Sequence, residues 1–123
     1  MRALPLLFIL SACAAPAAQG PTREAETLAR ELVARTAGAE ESCIPADRQT
    51  NLRIVDARTL VYETGRTLWV NNVVCPGMRP MDTLVVELQG SQYCRGDRFR
   101  TLSAGGTIPG PTCVLESFTP YRR

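Results

Sequence analysis

Five cysteines, Cys13, Cys43, Cys75, Cys94 and Cys113, are the side chains of this 123-residue sequence best suited to chemistry, and their surroundings decide which chemistry is open to them. A thiolate nucleophile wants a neighbouring base, most often imidazole, but the sequence contains no His, and every basic residue is Arg rather than Lys. The same absences exclude Ser-His-Asp triads, Cys-His dyads, His-ligated zinc, lysine Schiff bases and the P-loop. Zinc held by cysteines alone needs closely spaced ligand pairs, and the sequence has no CxxC knuckle. The carboxylates of the later sequence, Asp56, Glu63, Asp82, Glu87, Asp97 and Glu116, are enough for a glycosidase-like acid and base, but their spacing selects no two of them. No catalytic residue, cofactor or metal ligand is assigned on these grounds, and the expectation is a protein that is not an enzyme.

Cys13 stands apart from the other four. A short positive start, Met1-Arg2, leads into an apolar run from Ala3 to Leu10, which has the length of a signal-peptide core and falls well short of the roughly 20 apolar residues that span a bilayer. Directly after it, Leu10-Ser11-Ala12-Cys13 resembles the lipobox of bacterial lipoproteins: an aliphatic residue, two small ones and the cysteine that is acylated. The resemblance implies a signal peptide over 1–12 and lipidation of Cys13, whose acyl chains, at about 0.8 kcal/mol per buried CH₂, would hold the protein on a membrane. The competing reading is an ordinary secretory signal cut near Ala15-Pro16-Ala17. Ala14, where an Asp would retain the protein at the inner membrane, points by family analogy to the outer membrane with the domain in the periplasm; inner-membrane anchorage or a soluble periplasmic form are the alternatives. Small, uncharged, Pro- and Gly-broken residues over 13–21 have the composition of a flexible tether.

An even number of cysteines, Cys43, Cys75, Cys94 and Cys113, in a chain with an export signal reads as two disulfides formed in an oxidising compartment. Of the three possible connectivities, Cys75–Cys94 with Cys43–Cys113 is expected, the first joining the ends of adjacent strand segments and the second tying the first β segment to the last. Either bridge would contribute roughly 3–4.5 kcal/mol by loop entropy, which matters to a domain too small for a large core.

The elements that must position these residues follow from periodicity. Thr22 is placed to cap an amphipathic helix within 22–38, with Ala25, Leu28, Ala29, Leu32 and Val33 at the 3.6-residue period and Gly38 as the stop. Its apolar stripe either packs on the domain, the favoured reading, or binds a partner. After Gly38 the texture turns to β: Leu52–Val55, Thr59–Glu63 and Arg66–Val74 read as an antiparallel meander, followed by Thr83–Leu88, Arg98–Leu102 and Cys113–Phe118. The fold expected over 43–121 is mainly β, a small antiparallel sandwich or partly open barrel of about five to seven strands.

Four residues stand out as a binding surface: Tyr93, Arg95 and Asp97 around the Cys94-Arg95-Gly96-Asp97 turn, and Tyr121 in the aromatic and Arg-rich end of the chain. The Arg-Gly-Asp tripeptide reads more simply as a turn with its own ion pair or Asx bond than as an adhesion signal. The Gly-rich Ser103–Thr112 stretch lacks the Lys or helix start of a phosphate loop and reads as a connection. Trp69, the sole Trp, sits in the most hydrophobic strand segment and is expected in the core. With 14 basic against 12 acidic residues, the charge of +2 implies no nucleic-acid partner.

Taken together, Cys43-Ile44, Leu52–Asp56, Thr59-Leu60-Val61-Tyr62, Trp69-Val70-Asn71, Cys75-Pro76-Gly77-Met78, Tyr93-Cys94-Arg95-Gly96-Asp97 and Cys113–Tyr121 resemble a family of small proteobacterial envelope lipoproteins known only as a domain of unknown function. The resemblance runs over 43–121 and implies no particular activity; the partners expected are the membrane, through the lipid anchor on Cys13, and an envelope protein or a cell-wall component. The function expected is a noncatalytic binding or structural role. An inhibitor of a periplasmic hydrolase, with the Tyr93–Arg98 loop entering an acidic cleft, is the alternative, and a carboxylate-dependent hydrolase ranks third.

Overall fold

The computed structural model describes residues 20–47 and 50–123. The expected signal peptide, Cys13 and most of the expected tether lie outside the described residues.

Helix α1 spans Arg23–Val33. Thr22 begins it twice over: its Oγ1 accepts from the Ala25 N–H at 3.0 Å and donates to the Val55 carbonyl at 2.7 Å, so one hydroxyl caps the helix and fastens it to the sheet. Glu24 and Glu26 in the first turn and Arg30 in the last suit the helix dipole. The helix is shorter than its sequence pattern suggests. Thr36–Ala37 forms strand β1, taken up by the chain's last strand, and the Gly38 N–H donates to the Pro120 carbonyl at 2.8 Å. Gly38 is therefore not the helix stop: a Cβ there would meet the Pro120 ring at 3.0 Å, so the position favours glycine for close approach.

The remaining strands are β2 (Cys43–Pro45), β3 (Arg53–Asp56), β4 (Thr59–Thr64), β5 (Thr67–Asn72), β6 (Thr83–Val86), β7 (Gln92–Cys94), β8 (Arg98–Leu102), β9 (Cys113–Val114) and β10 (Phe118–Arg122). They make three antiparallel sheets, ordered β1-β10-β5-β4-β3, β2-β7 and β6-β8-β9, which do not close into a barrel. The expected β3-β4-β5 meander is present, and β4 turns into β5 through Gly65-Arg66 with Gly65 at φ +56°, the sign that a tight hairpin asks of its first central residue. The single strand expected over Cys113–Phe118 is instead two. The chain leaves the three-stranded sheet after Val114, buries Leu115 and enters the five-stranded sheet at Phe118. Its end is consequently an internal strand between β1 and β5 rather than a tail.

Alternation of side chains across the five-stranded sheet creates two cores. One face, with Ile54, Leu60, Tyr62, Trp69 and Phe118, packs against Ile44, Tyr93 and Phe99 of the smaller sheets and against Leu115. The other face, with Val55, Val61, Leu68 and Val70, lies under Leu28, Ala25 and Leu32 of α1. The helix thus forms a third layer over a small sandwich, and β5, buried on both faces, is its centre. Trp69 is in the first core as expected, while Val33 is left exposed beyond the helix contact.

The disulfides join Cys43 to Cys94 and Cys75 to Cys113, not the expected Cys75–Cys94 and Cys43–Cys113. The reason is register. β2 pairs with β7, which sets Cys43 directly opposite Cys94 with Cα atoms 4.0 Å apart. Cys75, held at the end of β5 by the bond from its N–H to the Ala57 carbonyl, meets β9 at Cys113 across 5.7 Å. The first and last segments of the domain are closed by hydrogen bonds instead, with Glu41 and Phe118 exchanging backbone bonds at 2.8 Å. With sequence separations of 51 and 38 residues, each bridge is worth about 4 kcal/mol in the loop-entropy account.

Candidate functional site

The four residues singled out at the sequence level do not converge on one surface. Tyr93 is a core residue: its ring meets Tyr62 edge-on at 5.5 Å, and burial, followed by the neighbouring Tyr62, pushes its hydroxyl above the ordinary tyrosine range. Asp97 is buried too. Its Oδ2 accepts the Cys94 N–H at 2.8 Å and its own N–H donates to the Cys94 carbonyl at 3.0 Å, so its carboxylate is spent on closing the turn, with Gly96 at φ +89°. Arg95 alone is presented by that turn, and its guanidinium lies 3.6 Å from Glu116. Tyr121 is half-buried against the second core, and its carbonyl accepts from Arg35.

Several of the carboxylates weighed as acid and base are likewise occupied locally. Asp56 accepts the Arg58 N–H at 2.8 Å, Asp82 accepts the Arg79 N–H at 2.9 Å, and Glu87 lies 3.7 Å from Arg98. Among the described residues no group of His, Cys, Asp and Glu is arranged to hold a metal ion, and no helix is long and apolar enough to cross a membrane. The Gly-rich connection folds back on itself, the Gly106 N–H donating to the Ser103 carbonyl and the Gly110 N–H to the Thr101 carbonyl. These two amides point into the protein's own backbone.

A concavity lies elsewhere, between one edge strand of the five-stranded sheet and one of the three-stranded sheet. β3 is the last strand of the five-stranded sheet and β6 the first of the three-stranded sheet, and a groove of about 540 Å³ runs between them. Leu52 and Ile54 from the β3 side, Leu84 and Val86 from β6, and Tyr93 provide its apolar lining; Asn51, Arg53, Asp82 and Thr83 bring polar groups to it. An edge strand carries backbone N–H and C=O groups on its outer side that no neighbouring strand satisfies. On β3 the Thr22 hydroxyl takes one of these, the Val55 carbonyl. Two such edges beside one groove of mixed polar and apolar lining are suited chemically to an extended peptide, which offers backbone donors and acceptors together with alternating side chains.

Pro80 continues the groove toward the start of the domain. It also lines one hollow with Thr22, Glu24, Met81 and Ser103, and another with Gly20, Pro21, Arg58 and Met78. Sequence reasoning missed this region because it sought polar and aromatic residues in turns. The available signal was Thr83-Leu84-Val85-Val86-Glu87-Leu88, with Leu84, Val86 and Leu88 on one face of a strand and Val85 as an apolar residue on the other; β6 is an edge, and Val85 and Leu88 are exposed.

Compared with known proteins, the chain matches no family model, no curated protein and no solved structure.

Proposed function

We propose that this chain is a bacterial lipoprotein, anchored through Cys13 with its domain in the periplasm, and that the domain is a noncatalytic module binding an extended segment of another envelope protein between β3 and β6. The observation that carries the binding role is a groove of mixed polar and apolar lining bounded by two edge strands. Its occupant completes both edges with backbone hydrogen bonds and fills the channel over Ile54, Leu84 and Val86 with every second side chain. Two disulfides suit the oxidising periplasm, and Leu10-Ser11-Ala12-Cys13 supports the anchor and, with Ala14 after it, outer-membrane destination. The lack of His and Lys favours binding over catalysis.

A photo-reactive benzophenone amino acid placed at Asn51 or at Thr83, exposed positions on opposite sides of the groove, tests the reading in living cells. Both positions should crosslink to the same stretch of the same envelope protein, and a probe at Val114, exposed on the unrelated edge strand β9, should not. Absence of adducts from both groove positions, or equal adducts from Val114, would refute the groove as the binding site.

A further inference from the structure

Gly20 enters the domain at one end, and near that entry two apolar side chains, Met81 and Val74, belong to neither core. Met81 is 78% exposed and shares a hollow with Thr22 and Glu24. Val74 is 80% exposed between Val73 and Cys75, whose N–H groups bond Arg58 and Ala57, and Arg58 and Ala57 line the hollow that holds Gly20 and Pro21. We infer that this end, with Met81 and Val74 foremost, rests against the lipid bilayer and dips those two side chains into its interface.

The inference rests on acylation of Cys13 and deepens it from an address to an orientation. Seven peptide steps separate Cys13 from Gly20 in the sequence, and at no more than about 3.5 Å each they reach roughly 25 Å. That is comparable to the width of a domain this size, so the end bearing Gly20 cannot travel far from the surface. This end has no cationic excess: Arg58 and Arg79 are set against Glu24, Asp56 and Asp82, and the two Asp carboxylates accept from the backbone N–H groups of those same arginines. The contact is therefore apolar, and it does not need anionic lipid. Val33, equally exposed, closes the far end of α1, about 15 Å along the helix from Thr22, and stays in water.

The test uses full-length acylated protein in vesicles of phosphatidylethanolamine and phosphatidylglycerol, with the lipid on Cys13 checked first by mass spectrometry. Tryptophan is introduced as Met81→Trp or, separately, Val33→Trp; both sites are exposed and leave the cores intact, and native Trp69 is a buried background common to both. Lipids brominated on the acyl chain should quench at least half of the added emission in Met81→Trp and almost none in Val33→Trp. The quenching should persist when phosphatidylglycerol is omitted. Equal quenching of the two variants, or none in either with Cys13 acylated, would overturn the orientation while leaving the anchor standing. Unmodified Cys13 would overturn both.

Discussion

Replacing Asn71 by alanine is the sharpest probe of how the two sheets are joined. Asn71 is fully buried on β5, yet its amide faces the link between β9 and β10: its Nδ2 donates to the Glu116 carbonyl at 2.7 Å and its Oδ1 accepts the Glu116 N–H at 2.9 Å. Two bonds are lost in the variant, each worth about 1 kcal/mol net, and the two Glu116 backbone groups left behind each lose up to a further ~1 kcal/mol where water cannot replace the amide. The expected loss is about 3–4 kcal/mol, a large fraction of the stability of a small domain. Urea unfolding with the disulfides intact, followed by Trp69 fluorescence, measures it. Asn71→Asp adds a directional check. At neutral pH its carboxylate keeps the acceptor but loses the donor and carries a buried charge, so its folded pKa is raised above the unfolded value. The neutral form is then favoured by folding, stability is fully present below the unfolded pKa, and it is lost as pH rises through the folded one. The deficit of Asn71→Asp should thus narrow as pH falls from about 7 to about 4, while that of Asn71→Ala should not. A loss under about 1 kcal/mol for Asn71→Ala would mean that water replaces the amide and the clamp is not structural.

Disulfide mapping decides the connectivity directly. Trypsin leaves Cys75 and Cys94 in one peptide because Arg79, the arginine between them, precedes Pro80; a second cut after Glu87 separates them. Linked peptides should join Cys43 to Cys94 and Cys75 to Cys113, and a Cys75–Cys94 link would contradict the structure's pairing. Removing the Cys75–Cys113 bridge by paired alanine substitutions should cost about 4 kcal/mol in the same urea assay. Alkaline stability reports on Tyr93: burial, then Tyr62, hold its folded pKa above the ordinary 10.0. Stability from the neutral phenol is complete below that unfolded value and is lost as pH rises through the folded pKa, so unfolding midpoints should fall from about pH 10 upward. Tyr93→Phe should fall less steeply over that window, and an unchanged slope would remove Tyr93 as the cause.

The main architecture was legible because it depends on local pattern. Thr22 before an apolar stripe, the β-prone run Thr59–Thr64, and Thr64-Gly65 before the Trp69 strand each encode an element in a few adjacent residues. Pairings distant in sequence were not legible. Nothing near Cys43 states that β2 will lie on β7, and without that register the disulfides cannot be assigned. Thr36-Ala37 continues a helical stretch in sequence, but the edge of β10, 86 positions from Arg35 at Tyr121, claims its backbone. Tyr93 and Asp97 have the composition of a recognition turn, yet the turn sits beside the core and uses both inward. The groove was invisible for a related reason: whether an apolar strand is an edge is a property of sheet order, which three separate sheets make a global outcome.

An open edge is a hazard as well as an opportunity, since any extended chain can pair with it. Here the hazard is limited by charge. Arg53 and Asp82 line the groove, and Glu87 follows β6 in an exposed ion pair with Arg98, so an incoming strand meets both signs. A purely apolar strand would desolvate Arg53 and Asp82 without replacing their hydration, whereas one with polar residues at the matching positions would not. The short tether would add a second restriction on the proposed membrane-anchored protein: the groove shares Pro80 with the hollow that holds Gly20, so in the proposed orientation its mouth opens near the bilayer. A segment lying close to the same membrane then reaches the edges at a higher effective concentration than a freely diffusing one. Lengthening the tether by a flexible insertion after Gly20 should therefore weaken crosslinking from Thr83 without altering fold stability, and undiminished crosslinking would place the partner free in the periplasm.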